Sequence, residues 1–62
     1  MVKVIKRDNG DYFEVHKNVE GATLKYFVLE GAEAHLDMSM DFDNEDDAIK
    51  AADSFDDIKD LL

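Results

Sequence analysis

Five carboxylates in seven residues, Asp41-Phe42-Asp43-Asn44-Glu45-Asp46-Asp47, form the densest chemical cluster in this 62-residue chain. Oxygen-rich runs suit hard cations such as calcium, but an EF-hand loop needs a glycine at its sixth place and a glutamate at its twelfth. Counted from Asp41 those places hold Asp46 and Ala52; counted from Asp43 they hold Ala48 and Ser54. The motif is absent, and no metal site is expected.

Other reactive groups stand alone. His16 and His35 have neither a cysteine nor a second histidine at ligand spacing, and both are expected on the surface, on the sheet face that the helix leaves uncovered. Ser39 and Ser54 belong to no arrangement that supports nucleophilic catalysis. There is no glycine-rich phosphate loop. Clustered, solvated carboxylates have no cause for the raised pKa that acid–base catalysis requires. The expectation is a protein without enzymatic activity or cofactor.

The acidity itself is a better lead. The net charge is −9, and it is unevenly placed. Residues 1–29 carry five basic and four acidic side chains; residues 30–62 carry two basic and twelve acidic. Such a chain repels nucleic acid and anionic membranes, so a partner selected by charge is basic. Alternate residues on a strand lie about 6.6 Å apart, near the phosphate spacing of a nucleic-acid strand. Asp37, Asp41, Asp43, Glu45, Asp46, Asp53, Asp56, Asp57 and Asp60 are therefore the candidate partner-binding residues. Aspartate is a poor helix former, and Asp56, Asp57 and Asp60 fall toward the helix end where anions are disfavoured. These costs speak for a use beyond solubility. In size and charge alone the chain resembles phage-encoded anti-defence proteins, such as anti-restriction and anti-CRISPR inhibitors. That resemblance implies an inhibitor or regulator occupying a nucleic-acid-binding surface of a partner.

The elements that position these residues follow from punctuation and period. The chain has no cysteine and no proline, and its three glycines, Gly10, Gly21 and Gly31, recur at roughly ten-residue intervals. Such spacing is the signature of a meander. Strands are expected near 2–7, 12–19, 23–30 and 35–42. A type I′ turn at Asn9-Gly10 sets Val4 opposite Val15 and Lys6 opposite Phe13. A turn at Glu20-Gly21 sets Val15 opposite Tyr26 and Phe13 opposite Val28. A three-residue loop at Gly31-Ala32-Glu33 sets Leu36 opposite Val28 and Met38 opposite Tyr26. After Phe42 the apolar period lengthens to about 3.6. A helix near 44–61 follows, capped by Asp43 or Asn44, with a kink near Ser54.

The expected fold is α+β, a four-stranded antiparallel meander with one C-terminal helix on one face (ββββα), in a single domain over 1–62. Its core is expected to hold Val2, Val4, Phe13, Val15, Leu24, Tyr26, Val28, Leu36, Met38, Met40, Phe42, Ile49, Ala52, Phe55, Ile58 and Leu62. One helix covers one face, so Ile5, Tyr12, Phe27 and Leu29 remain on the other. That group is a candidate dimer or docking face, and the alternative function is a homodimerisation or assembly domain whose acid serves solubility. No apolar run approaches a membrane span, and the opening residues are too short and alternating for a signal peptide. A cytoplasmic location is expected.

Overall fold

Each turn sets the register of the strand after it, and a slip of one residue moves every side chain to the opposite face. The computed structural model describes residues 2–58. It contains four antiparallel strands, β1 (Lys3–Lys6), β2 (Tyr12–Asn18), β3 (Gly21–Glu30) and β4 (Glu33–Phe42), in one sheet of order β1-β2-β3-β4. Two helices follow, α1 (Glu45–Asp53) and the single-turn α2 (Phe55–Ile58). The architecture is the α+β meander with one covered face, and strand ends fall within two residues of expectation. Among the described residues no helix is long and apolar enough to cross a membrane.

The first turn differs from the expected type I′ form. That form needs positive φ at both central residues, but only Gly10 has it, at +95°. Gly10 N donates to Arg7 O, and Arg7 N donates to Asp11 O. The loop therefore holds three residues, and the register becomes Ile5↔Phe13 and Lys3↔Val15. This one-residue shift turns β1 over. Ile5, expected on the uncovered face, packs against the core instead. Val2 and Val4, expected in the core, are exposed.

The second turn is Val19-Glu20, one residue earlier than expected, giving Phe13↔Tyr26 and Val15↔Leu24. The resulting two-residue shift leaves the apolar face intact. Gly21 has φ +153°, and a Cβ there would collide with the Phe42 carbonyl oxygen.

The third turn is Gly31-Ala32, with Glu30 paired to Glu33 and Gly31 at φ +64°. Glycine at the first central position is the requirement of a type II′ hairpin. This pairs Val28 with His35 and Phe27 with Leu36. A β-bulge then absorbs Asp37, and Tyr26↔Met38 resumes as expected. Leu36 is thereby moved out of the expected core onto the uncovered face. His35, expected on that face, pairs instead with Val28.

The helix begins where the sequence placed it. Asn44 is the N-cap: Asp47 N donates to Asn44 Oδ1 at 2.8 Å, and Asn44 Nδ2 donates to Asp47 Oδ2 at 3.2 Å. Glu45, Asp46 and Asp47 occupy the first turn, where the helix dipole favours anions. Ser54 interrupts the helix, its N–H donating to Lys50 O. The break sits where the kink was expected.

The buried core is Phe13, Val15, Ala22, Leu24, Tyr26, Ala48, Ala52 and Phe55. Ala22 and Ala48 were absent from the expected list; small residues there let α1 approach the sheet. Phe13, Tyr26 and Phe55 form a three-ring cluster with centroids 4.7–5.2 Å apart. Each such contact is worth about 0.5–1.5 kcal/mol beyond area burial. Leu62 lies outside the described residues, as does the side chain of Ile58.

Gly21→Ala should therefore cost about 2–3 kcal/mol, since it combines positive φ with a backbone collision. Thermal unfolding should show a drop of ~10 °C or more. Gly31→Ala, with open space around its Cβ position, should lose less than Gly21→Ala.

Candidate functional site

The side chains that α1 leaves open fall into rows across the sheet. One row is Lys6, Tyr12, Phe27 and Leu36; the next is Val4, Glu14, Lys25 and Ser39. A third contains His16, Thr23 and Asp41. Tyr12 and Phe27 stack with centroids 5.1 Å apart and planes 16° from parallel. Leu36 is 53% exposed, Leu29 42% and Val4 40%. One end of the face is thus apolar, and the other end is polar.

The polar end is partly self-satisfied. His16 Nε2 and Glu14 Oε1 lie 2.7 Å apart. Asn18 Nδ2 donates to Thr23 Oγ1, which donates to Asp41 Oδ1, both at 2.7 Å. Lys25 is half-buried between Glu14 and Ser39, yet it makes no ion pair among the described residues. Of the expected face, Tyr12, Phe27 and Leu29 are in place. Ile5 is not, and Leu36 and Val4 take up the apolar role. Sequence periodicity alone gave no sign of the bulge that delivers Leu36.

The candidate acidic residues divide into groups. Asp37 sits in the bulge on β4, a sheet edge, and Asp41 faces the uncovered side. Asp43 follows the strand, and Glu45 and Asp46 open α1. Asp37, Asp43, Asp46 and Asp53 are exposed and make no ion pair among the described residues. Asp56 instead accepts from Arg7 Nη2 at 2.5 Å. Asp60 lies outside the described residues, as does the side chain of Asp57. The sheet also has opposite edges: β1 carries Lys3 and Lys6, whereas β4 carries Glu33, Asp37 and Asp41.

Arg7, Asp11, Tyr26 and Asp56 form a polar clasp at the end of the aromatic cluster. Tyr26 Oη donates to Asp11 Oδ2 at 2.7 Å, and Leu29 N donates to Asp11 Oδ1 at 3.1 Å. The Arg7 guanidinium lies 5.7 Å from the Tyr26 ring centroid and 5.5 Å from that of Phe55. The hydrogen bond to Asp56 raises the Arg7 pKa, partly opposed by burial. The Tyr26 hydroxyl, followed by the Leu29 amide, holds Asp11 below the usual carboxylate range. Burial, then the bond to Asp11, pushes the Tyr26 phenol up. Sequence reasoning missed this clasp; the only local signal was Asp11 directly after Asn9-Gly10.

Beside Arg7 lies an open cleft of about 440 Å³, bounded by Ile5, Phe13, Phe55 and Asp53. A shallower hollow of about 360 Å³ lies between Lys17, Gly21 and Asp43 to Asp46. Neither contains a histidine, serine or cysteine among the described residues that line it. Among the described residues no three His, Cys, Asp or Glu side chains are gathered as metal ligands. No protein-family model matches the chain, and no curated protein or solved structure shows significant similarity to it.

Because its folded pKa is lowered, Asp11 stabilises the fold above the unfolded carboxylate value of about 4 and loses that effect as pH falls through its folded value. Tyr26 has the opposite sign, its contribution persisting until alkaline pH. Asp11→Asn should lower the melting temperature at pH 7 and flatten its decline below about pH 4. Parallel wild-type and variant curves in thermal scans across pH 2–7 would rule out this role for the clasp.

Proposed function

We propose that this protein is a protein-binding module that works through contact and performs no chemistry of its own. Its working surface is the uncovered sheet face. The observation that carries this reading is the stacked Tyr12–Phe27 pair, continuous with exposed Leu36. A contiguous apolar group on so small a domain is more than scattered surface hydrophobicity. Aromatic residues with a polar surround are also the usual anchors of protein interfaces.

A second reading concerns the acidic edge, and it is the inhibitor reading drawn from charge. Its support is that Asp37, Asp43, Asp46 and Asp53 remain exposed without counter-ions among the described residues. A band of fixed carboxylates speeds encounter with a basic partner, including one whose basic groove holds nucleic acid. Asp56 contributes less, because Arg7 already neutralises it. In both readings the protein acts in solution without a cofactor, and the cytoplasm is the compartment we assign.

A photoreactive amino acid at position 36, on the face, and at position 47, on exposed helix surface, separates these surfaces. Adducts from position 36 and none from position 47 are expected; adduct-free position 36 would remove the face reading. For the acidic edge, Asp37→Asn with Asp43→Asn, Asp46→Asn and Asp53→Asn should keep the circular dichroism spectrum. It should also abolish any capture from host lysate that added salt disrupts. Undiminished salt-sensitive capture would remove that reading.

A further inference from the structure

We infer that the uncovered face joins two copies of this chain in a face-to-face dimer. Its two-fold axis runs between β2 and β3, parallel to the strands. This rests on reading that face as an interface and names its occupant.

The self-complementarity follows from the registers. A two-fold along the strands lays β2 over β3 of the second copy and keeps each row level with itself. Tyr12 pairs with Phe27 in one row, and Glu14 with Lys25 in the next. The operation therefore sets Tyr12 against Phe27 of the partner subunit, and Glu14 against Lys25 of the partner subunit. Each contact occurs twice, as an isologous interface requires. All four residues are on the central strands, close to the axis, where the roughly 30° twist between packed sheets displaces them least. Half-buried Lys25, without an ion pair among the described residues of its own chain, gains one.

Charge selects this axis over the other in-plane choice. A two-fold across the strands lays β2 over β2 and β3 over β3; about the row that holds Glu14 and Lys25 it sets Glu14 against its own copy and Lys25 against its own. The strand-parallel axis sets each of them against the opposite charge. Like charges opposed across an interface are strongly disfavoured.

The net charge of −9 does not forbid this dimer. With sheet faces packed together, the two α1 helices lie on opposite outer sides. Layers spaced about 10 Å apart then separate the helices by roughly 30 Å, about three Debye lengths at 0.1 M salt. The area reaches the scale of a specific interface: the four strands, 31 residues in all, at about 3.3 Å rise and 4.8 Å spacing, give the face a footprint of about 500 Å² per copy, or about 1,000 Å² in total.

The test is a charge exchange read by sedimentation equilibrium, with circular dichroism confirming the fold of each variant. Wild type should dimerise. Glu14→Lys alone and Lys25→Glu alone should each weaken the dimer about tenfold or more. The double reversal should recover it, and mixing the two single variants should give a one-to-one heterodimer, because both inter-chain pairs then have opposite signs. An effect confined within each chain cannot produce that heterodimer. A wild-type monomer up to about 1 mM, or a dimer indifferent to these reversals, overturns the arrangement. The photoprobe at position 36 distinguishes the failures. A monomer whose probe captures another protein loses the homodimer and keeps the interface, whereas a monomer with no adduct loses both.

Discussion

One nine-residue helix can shield only one face of a four-stranded sheet, and the rest of the protein follows from which side chains are delivered to that face. α1 and α2 cover Phe13, Val15, Ala22, Leu24 and Tyr26 on the two central strands, with Ala48, Ala52 and Phe55 supplied from the helical side. Small alanines let the helix lie close to the sheet, and Phe55 fills the wider end against Phe13 and Tyr26. A domain this size buries only about 60% of the surface its unfolded chain exposes. Stability then depends on a few dense contacts, and Arg7 over the Tyr26 and Phe55 rings closes the end that the helix break leaves open.

The element types were legible because their signals are local. Alternation marked four strands, the period change after Phe42 marked the helix, Asp43 or Asn44 marked its start, and Ser54 marked a kink where the structure ends α1 and begins α2. The registers were less legible because turns are decided by dihedral angles that several sequences satisfy. Asn9-Gly10 reads as a two-residue turn, yet only Gly10 takes positive φ, and the extra loop residue exchanges Ile5 for Val4 on the core face. On β4 two departures cancel. The shorter Gly31-Ala32 turn slips the register by one, and the bulge at Asp37 restores it by Tyr26↔Met38. Leu36, lying between them, changes sides. The aromatic half of the candidate face survived because the shift at Val19-Glu20 was two residues, which preserves facing.

The acidity has a similar mixed legibility. Composition located it after Glu30, but composition carries no pairing information. Arg7 lies 49 residues from Asp56 and is nevertheless its partner at 2.5 Å. Asp41 is engaged by Thr23, and Asp47 by the Asn44 cap. Part of the charge is thus spent on structure: closing the core, ordering the sheet and starting the helix. What remains without counter-ions lies along β4 and the outer surface of α1; of these Asp37 adjoins Leu36, and Asp43, Asp46 and Asp53 stand away from the apolar end of the open face.

That separation bears on how the molecule avoids indiscriminate association. Both edge strands expose backbone donors and acceptors, the standing hazard of an open sheet. β1 is only four residues long and carries lysines; β4 is interrupted by a bulge and carries acids. Short length, irregularity and charge are the recognised means of discouraging edge pairing. Like edges repel, so β1 cannot readily add to β1, nor β4 to β4. The bulge further denies β1 a long straight template on β4. With both edges so defended, the face bearing Tyr12 and Phe27 is the broad unshielded surface on the sheet. An association through it keeps every defended edge in place.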